Sequence, residues 1–551
     1  MSVLTRIQRS GLLQGILRAQ AAKRAAGCNR RDPLEAQQRI FRELLDKAAE
    51  TRFGREYGFA RLARMPFADA YRQYASRVPI RSYQDFMRDY FYRDQPISAA
   101  GHSAPELDNV TWPGSIRMFC ETSGTTAPTK FIPFSDEMFA ENRRAALDMV
   151  ACYLAAQPGS RILDGKILYM SGSTDLTQVR RGVWSGDMSA LTLRFRPRYL
   201  TPFVEPGTEI SALPWEAKLQ AMAELLLRDS RIRVISGVPP WIILLLKRCQ
   251  EISGRPLPEL LPNLELIIHG GTSLTPYWNE FEHLFHGRLP NLLELLPSSE
   301  AFMAFQQPGE AYMRLTPFYG VFFEFVRCED LDEQGQPAAA AETLPLERVE
   351  VGQRYAVILS TCSGLWRYHI GDTIRFTGTN PHFIEFTGRD RFLDKLEEKV
   401  TQDEVEQAVA TLNRNGCWNV REFMVGADIP GRRHQWVLAV GNGELRSTDA
   451  VRVLDTTLCA LNADYASFRS QGRIQAPDVM LVPEDGIYQW SRLERGKLGG
   501  QSKIPHIDPT PDSSMIAGLR TFHLSPLLQQ PDFAGKSEPG AWLNQRFAIH
   551  G

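Results

Sequence analysis

Three short stretches combine hydroxyls with glycines, a charged group or both in loop-like spacing. They are Thr122-Ser123-Gly124-Thr125-Thr126 followed by Lys130, Gly270-Gly271-Thr272-Ser273, and Pro297-Ser298-Ser299-Glu300. Hydroxyls and backbone N–H groups around a flexible glycine can surround phosphate oxygens, and Lys130 adds positive charge. The first stretch is not a Walker loop, because the second glycine before the lysine is missing. Taken alone it reads either as a phosphate cradle or as a structural Ser/Thr turn. Glu300 offers the hard oxygen that Mg²⁺ prefers beside a triphosphate, or is a solvated loop acid. Asp372, in "SGLWRYHIGDTIRF", follows the strand-like "RYAVILST" and a turn at Ser363-Gly364. A carboxylate there either accepts hydrogen bonds from both hydroxyls of a ribose or caps a turn before a strand.

The elements that must position these groups are legible in part. Leu264 to Ile268 is an apolar run, Gly270-Gly271 turns the chain, Thr275 and Pro276 open a helix that Gly287 ends, and Leu292 to Leu296 is a second strand. This strand-helix-strand order predicts a parallel pair. Ligands gather beyond the carboxyl ends of such strands, where "GGTS" and "PSSE" would lie side by side. After about residue 388 a second character begins. Thr401 and Glu404 form a capping box; Val405, Ala408, Val409 and Leu412 share one helical face; Gly416 closes the helix. Strand-like "REFMVGADI" and "HQWVLAVGN", a helix from about Asp449 and "DVMLVPEDGI" follow, which predicts a small α+β domain. The stretch near 332–352, "DEQGQPAAAAETLPLERVEVG", reads as an exposed connection between strands.

The totals exclude several classes. With 551 residues and 43% hydrophobic content the chain can bury large cores and should divide into domains. Lys and Arg total 63 against 64 for Asp and Glu, so no global field draws the chain to nucleic acid or an anionic membrane. Eight cysteines without a CxxC pair or Cys/His cluster predict a reduced, cytoplasmic protein with no zinc site. "WIILLL" at 241–246 is far too short to span a bilayer and reads as a core helix. The first 31 residues carry seven Lys/Arg and no acid. They are read as a helix docking through Leu4, Ile7, Leu12 and Ile16, in preference to a transit peptide or a membrane-surface helix.

Taken in order, "SGTT", "GGTSLTP", "PSSE", "GLWRYHIGD" and "FTGRDRF" resemble the adenylate-forming superfamily that includes firefly luciferase and acyl-CoA ligases. Within it the sequence is similar to the auxin-responsive acyl-acid amido synthetase family, through "LTPFYGVFFEF", "VEVGQRYAVILSTCSGLWRYHIGD", "EEKVTQDEVEQAV" and "GKLGGQSKIPHI" as well. The resemblance runs from about residue 78 to about 508.

It implies an α/β fold: a large N-terminal adenylate-forming domain, residues 1–388, with parallel and mixed sheets and a β-barrel-like part, and a small mobile C-terminal α+β domain, residues 389–551. The implied reaction joins ATP and a carboxylic acid to an acyl-adenylate and pyrophosphate; an amine, usually an amino acid, then displaces AMP to form an amide. The same resemblance assigns roles. Ser123, Gly124, Thr125 and Thr126 would hold the β- and γ-phosphates, Ser298, Ser299 and Glu300 would border the α-phosphate and Mg²⁺, and Asp372 would grip the ribose. Arg389 would bond ribose or phosphate while the small domain turns about 388–392, and Lys399 and Lys503 would reach over the nucleotide. Lys503, Glu300 and Thr125 would carry catalysis, and Tyr319, Val321 and Phe323 would wall the acyl pocket. Ala127-Pro128 and His369 depart from the pattern of the plant members, which usually have Arg in the latter position. Two alternatives stay open: transfer of the acyl group to coenzyme A or another thiol, and a non-catalytic nucleotide-binding scaffold.

Overall fold

The computed structural model describes residues 11–93, 103–122, 129–171, 176–196, 198–332, 335–338, 341–389, 392–393, 395–396, 398, 400–416, 419–441, 446–495, 504–510 and 512–524. The chain opens with helices. Helix Pro33–Ala48 begins where Asp32 Oδ1 accepts from the N–H groups of Leu34 and Glu35, at 2.8 and 3.0 Å, with proline in the first turn. Its Ile40, Phe41, Leu44 and Leu45 enter the main core.

The preceding helix, Gly11–Arg30, docks by a different face from the one expected. Ile16 is 46% exposed, Leu4 and Ile7 lie outside the described residues, and so does the Leu12 side chain. The buried side is Ala21, Ala25 and Cys28, set against helix Asp136–Ala156. Short side chains let the two helices approach closely, where a row of Leu and Ile would hold them apart. Arg24 and Arg31 then converge on Asp148, whose side chain is fully buried.

The predicted parallel crossover is present. Strand Leu266–Gly270 pairs in parallel with Asn291–Pro297, with His269 opposite Glu294 and Gly270 opposite Leu295. Between them Thr275–Tyr277 forms a 3₁₀ turn before helix Trp278–Leu284, and Ser273, not Thr275, supplies the opening side-chain acceptor, its Oγ 3.2 Å from the Thr275 N–H. Ile232–Gly237, Lys166–Tyr169 and Val204–Glu205 continue the parallel run outward. The "WIILLL" segment lies in helix Pro239–Ser253 and is packed in the core.

On its other side, Asn291–Pro297 pairs antiparallel with Phe302–Phe305, and the same sheet runs on through Met313–Leu315, His382–Arg389, Tyr368–Thr379, Arg354–Thr361 and Val321–Arg327 to Leu344–Pro345, twelve strands in all. The expected barrel-like part therefore resolves as the antiparallel half of one mixed sheet, beside a separate four-stranded sheet built on Met118–Thr122, Lys130–Phe134, Val183–Gly186 and Leu176–Arg180. The segment read as an exposed connection ends in structure: Leu344 and Leu346 are buried, because Leu344 pairs with Phe325 at the sheet edge.

A buried charge pair secures this half. Arg367 Nε donates to Glu324 Oε1 at 3.1 Å, Nη1 reaches the carbonyls of Ala75 and Val78 at 2.7 Å, and Nη2 reaches Thr343 Oγ1 at 2.6 Å. The Tyr71 hydroxyl adds a bond to Glu324 at 3.1 Å. One guanidinium thus ties the helical region, the edge strand and the "GLWRYHIGD" stretch together.

The small domain follows its expected order. The Thr401–Glu404 capping box forms, with the Thr401 N–H 2.7 Å from Glu404 Oε2, and opens helix Gln402–Gly416, in which Val405, Ala408, Val409 and Leu412 are fully buried. Val420–Asp428, Arg433–Val440 and Asp478–Pro483 make its sheet, and helix Ser447–Leu461 covers it. Its core begins at Leu393, whereas Phe386 still packs against the core of the large domain. At Gly388, φ is +94° and an added Cβ would meet Gln402 Cβ at 2.7 Å, so only glycine lets the last large-domain strand pass the helix so closely.

The Arg367–Glu324 pair sets a stability expectation. Removing one partner strands the other charge in the interior, so Glu324→Ala should cost about 3–5 kcal/mol, whereas the double variant Glu324→Leu with Arg367→Met should recover part of that loss. Urea unfolding followed by the fluorescence of buried Trp112 and Trp366 measures both.

Candidate functional site

The carboxyl ends of Leu266–Gly270 and Asn291–Pro297 bring "GGTS" and "PSSE" out of the sheet as neighbours. Gly270 is required there: a Cβ would lie 2.2 Å from the Leu295 carbonyl oxygen. The Ser298 hydroxyl is spent on its own turn, accepting from the N–H groups of Glu300 and Ala301 at 3.3 and 3.0 Å, while the Ser298 N–H donates to the Ala301 carbonyl at 2.8 Å. That turn holds Glu300 with only 8% of its surface exposed, and leaves Ser299 at its tip.

Strand Met118–Thr122 reaches the same place from another part of the chain. Burial lifts the Cys120 thiol well above its ordinary range, and the negative charges of Glu300 and Asp187 add to the effect. Asp187 follows strand Val183–Gly186, which pairs in parallel with Met118–Thr122 so that Gly186 lies opposite Cys120. Asp187 is thus placed beside the strand that leads into Ser123, and Glu300, from a third part of the chain, lies near enough for its charge to reach Cys120. Asp187 escaped the sequence reading. The signal for it is the Gly-Asp at a strand end, the same dipeptide that marks Asp372.

Ser123, Gly124, Thr125 and Thr126 lie outside the described residues, as do Lys399 and Lys503. The flanks of the first stretch are described: Thr122 faces Lys130 across an antiparallel ladder. Lys130 Nζ sits 5.7 Å from the centre of the Tyr83 ring. Its charge also bears on His369, whose imidazole is lowered to about 4, first by burial and then by Lys130. The His369 backbone N–H donates to the Arg81 carbonyl at 2.9 Å, and Nδ1 lies 3.5 Å from Gln336 Oε1.

Asp372 is buried within strand Tyr368–Thr379, not at a turn before a strand, and its ladder partner is Arg389 at the end of His382–Arg389. The pairing register slips between Asp372 and Ile374, the kind of strand irregularity that re-aims side chains beside binding sites. The Arg389 side chain lies outside the described residues. Tyr319, Val321 and Phe323 are 1%, 1% and 0% exposed. The Tyr319 hydroxyl lies 2.6 Å from Asp148 Oδ2, the Phe323 N–H donates to Gln37 Oε1 at 2.8 Å, and the Phe323 ring stacks on Phe325. These three fill the cores behind the site. Among the described residues, no cluster of three or more His, Cys, Asp or Glu is placed to hold a metal ion.

Comparison with known proteins identifies a family. Profiles of the GH3 family N-terminal, central and C-terminal domains match residues 29–221, 315–389 and 380–511. The chain is 32% identical over 301 residues to indole-3-acetic acid-amido synthetase GH3.8 of Oryza sativa subsp. indica, covering 50% of this chain and 48% of that protein. It is 26% identical over 300 residues to indole-3-acetic acid-amido synthetase GH3.4 of Arabidopsis thaliana, covering 49% of each. These matches span about half the length of the curated relatives. Among solved structures, the GH3.15 acyl acid amido synthetase in complex with 2,4-DB superposes with a TM-score of 0.68 at 18% identity, over 88% of this chain and 93% of that one. A 2-hydroxyisobutyryl-CoA ligase gives 0.51 at 13% identity, over 89% and 92%. At these identities the two structures establish a shared fold.

The position of His369 has a measurable consequence. A histidine with a depressed pKa contributes stability that is present above its unfolded value of about 6.5 and is lost as pH falls through the folded value. With its imidazole lowered to about 4, His369 should stay largely neutral above about pH 5, and a ¹³C-histidine titration should show one ring resonance, absent in His369→Gln, that barely moves between about pH 5 and 8.

Proposed function

Because the chain belongs to the GH3 family, we propose that it is an ATP-dependent, AMP-forming acyl-acid amido synthetase. The observation that carries the proposal is the arrival of Glu300 and Asp187, from unrelated parts of the sequence, at the strand leading into Ser123–Thr126. In the first half-reaction an oxygen of the acid's carboxylate attacks the α-phosphorus of ATP and pyrophosphate leaves. In the second, the nitrogen of an amine, here an amino acid, attacks the acyl carbon; AMP leaves and the nitrogen gives up a proton. Both steps crowd negative oxygens together, so oriented donors and cations must meet the charge as it develops.

The chain's own groups divide this work. Ser123, Gly124, Thr125 and Thr126 cradle the β- and γ-phosphates, and Lys130, on the flank of that stretch, adds positive charge. Ser298 shapes the turn from which Ser299 and Glu300 border the α-phosphate. Asp372 accepts from the ribose hydroxyls, with Arg389 opposite it in the ladder. Lys399 and Lys503 bring cationic charge from the small domain, which turns at the 388/389 boundary where Gly388 permits the close passage. Glu300 and Asp187 are hard oxygen donors suited to Mg²⁺, which supplies charge neutralisation at the phosphates when bound. Tyr319, Val321 and Phe323 support the acyl side of the cleft from behind.

Two further observations fit a cytoplasmic enzyme: the cysteines at 28, 120, 152, 249, 328, 362 and 459 are all free thiols, and among the described residues no helix is long and apolar enough to cross a membrane.

A matrix of carboxylic acids, indole-3-acetate and benzoate included, against amino acids, hydroxylamine and coenzyme A tests the reaction class. Pyrophosphate release with amide products by mass spectrometry is expected; a thioester as the sole product would replace the amine with a thiol acceptor. Glu300→Gln should lower kcat by about 10²–10³ without unfolding the protein, and full retained activity would remove Glu300 from the mechanism.

A further inference from the structure

His506 is buried in the small domain with a carboxylate at each ring nitrogen. Nδ1 lies 2.8 Å from Glu406 Oε1 and Nε2 lies 3.3 Å from Glu422 Oε1. The ring stacks on Phe423 with centroids 4.0 Å apart. A neutral imidazole carries one N–H, so it would aim a lone pair at one of these carboxylates; only the doubly protonated ring satisfies both. Burial alone would push the group down, yet the bonds to Glu406 and Glu422 carry it up to about 9. The imidazolium is therefore charged at neutral pH.

The clamp joins three elements. Glu406 belongs to helix Gln402–Gly416 and Glu422 to strand Val420–Asp428. The segment bearing His506 is laced to that strand by its backbone: the Val425 N–H donates to the His506 carbonyl, and the Asp508 N–H to the Val425 carbonyl, both at 2.8 Å. Glu422 also accepts from the Tyr488 hydroxyl at 2.8 Å, and Glu406 from Gln402 Nε2 at 2.7 Å. Ile504, His506, Glu422 and Tyr488 line a small pocket together with Thr272 and Tyr277 of the large domain. Thr272 belongs to the "GGTS" turn. The clamp thus sits where the small domain meets the loops of the site, three residues after Lys503.

We propose that His506 is a positioning residue: gripped between Glu406 and Glu422, it fixes the segment that follows Lys503 against the small-domain sheet, beside the Gly270–Ser273 turn, and the work assigned to Lys503 depends on that anchoring. The proposal rests on the amido-synthetase reading and on the role given there to Lys503. His506 touches no substrate; it acts through the backbone it holds.

An acyl-phosphate derivative of ATP, which acylates lysines near the bound phosphates, tests this on the full chain. Mass spectrometry quantifies label at each lysine with and without excess ATP, and thermal unfolding is recorded for every variant. In the wild type, Lys503 is expected to take label that ATP suppresses. His506→Gln, which cannot carry the charge, should reduce labelling of Lys503 about tenfold while other ATP-protected lysines and the unfolding temperature hold, and His506→Arg, which keeps a cation with donors for both carboxylates, should restore it to within about twofold. Should His506→Gln unfold, Glu422→Gln removes one arm of the clamp and is expected to show the same selective loss. Unchanged labelling in these variants, or an equal loss in the Gln and Arg variants, overturns the proposal. Absence of ATP-suppressed label at Lys503 in the wild type refutes the lysine's role itself, and the proposal falls with it for that separate reason.

Discussion

Strand Asn291–Pro297 belongs to two kinds of sheet at once, and the rest of the large domain is arranged around that fact. On one edge it is parallel to Leu266–Gly270, and on the other it is antiparallel to Phe302–Phe305. A parallel neighbour requires a crossover helix, while an antiparallel one requires only a tight turn. The tight turn is "PSSE", and it falls at the carboxyl end of the parallel run, where loops of open α/β sheets collect ligands. The reversal that converts one half of the sheet into the other is thus the turn that carries Glu300. Close packing at the neighbouring strand, where Gly270 passes the Leu295 carbonyl, fixes the distance between this turn and "GGTS".

Electrostatics inside the protein follows one pattern. The chain is nearly neutral overall, and its buried charges are met locally: Glu324 by Arg367, Asp148 by Arg24 and Arg31, His506 by Glu406 and Glu422. Each of these knots joins elements far apart in sequence. At Cys120 the sign is uniform, with Glu300 and Asp187 both raising the thiol.

Legibility in the sequence divided along the same lines as locality. The crossover could be read because apolar runs, a Gly-Gly turn and Thr-Pro lie within forty residues of each other, and each carries its own backbone rule. The Thr401–Glu404 box and the face at Val405, Ala408, Val409 and Leu412 are likewise local. The Gly-Asp dipeptide marks Asp187 but does not place it, because its place depends on Val183–Gly186 finding Met118–Thr122, a pairing that no nearby residue announces. The docking face of the first helix hid for another reason: alanine and cysteine give almost no hydrophobic periodicity, and Ile16, which does, points outward. Val321 and Phe323 sit in a strand buried on both faces, so alternation could not tell which side opens to a ligand.

The two domains meet through charge as well as through apolar contact, the latter including Trp241 against Tyr488 with ring centroids 5.4 Å apart. Lys247 and Glu280 of the large domain interleave with Arg421 and Glu484 of the small one: Lys247 lies 3.2 Å from Glu280, Arg421 Nε lies 3.2 Å from Glu484, and Lys247–Glu484 and Arg421–Glu280 contacts close the square. Asn413 adds a bond to the Pro276 carbonyl at 3.2 Å. Glu484 keeps 41% of its side chain in solvent, whereas Lys247, Arg421 and Glu280 keep 19%, 15% and 4%, so water reaches this square from one corner only. The His506 clamp is the opposite case, for all of its bonds lie within the small domain and all are buried. Rotation of that domain would exchange the ionic square for solvent or for other partners, yet would carry the clamped segment along unchanged. A rigid turn of the small domain can therefore change what the clamped segment faces without altering the bonds that hold it.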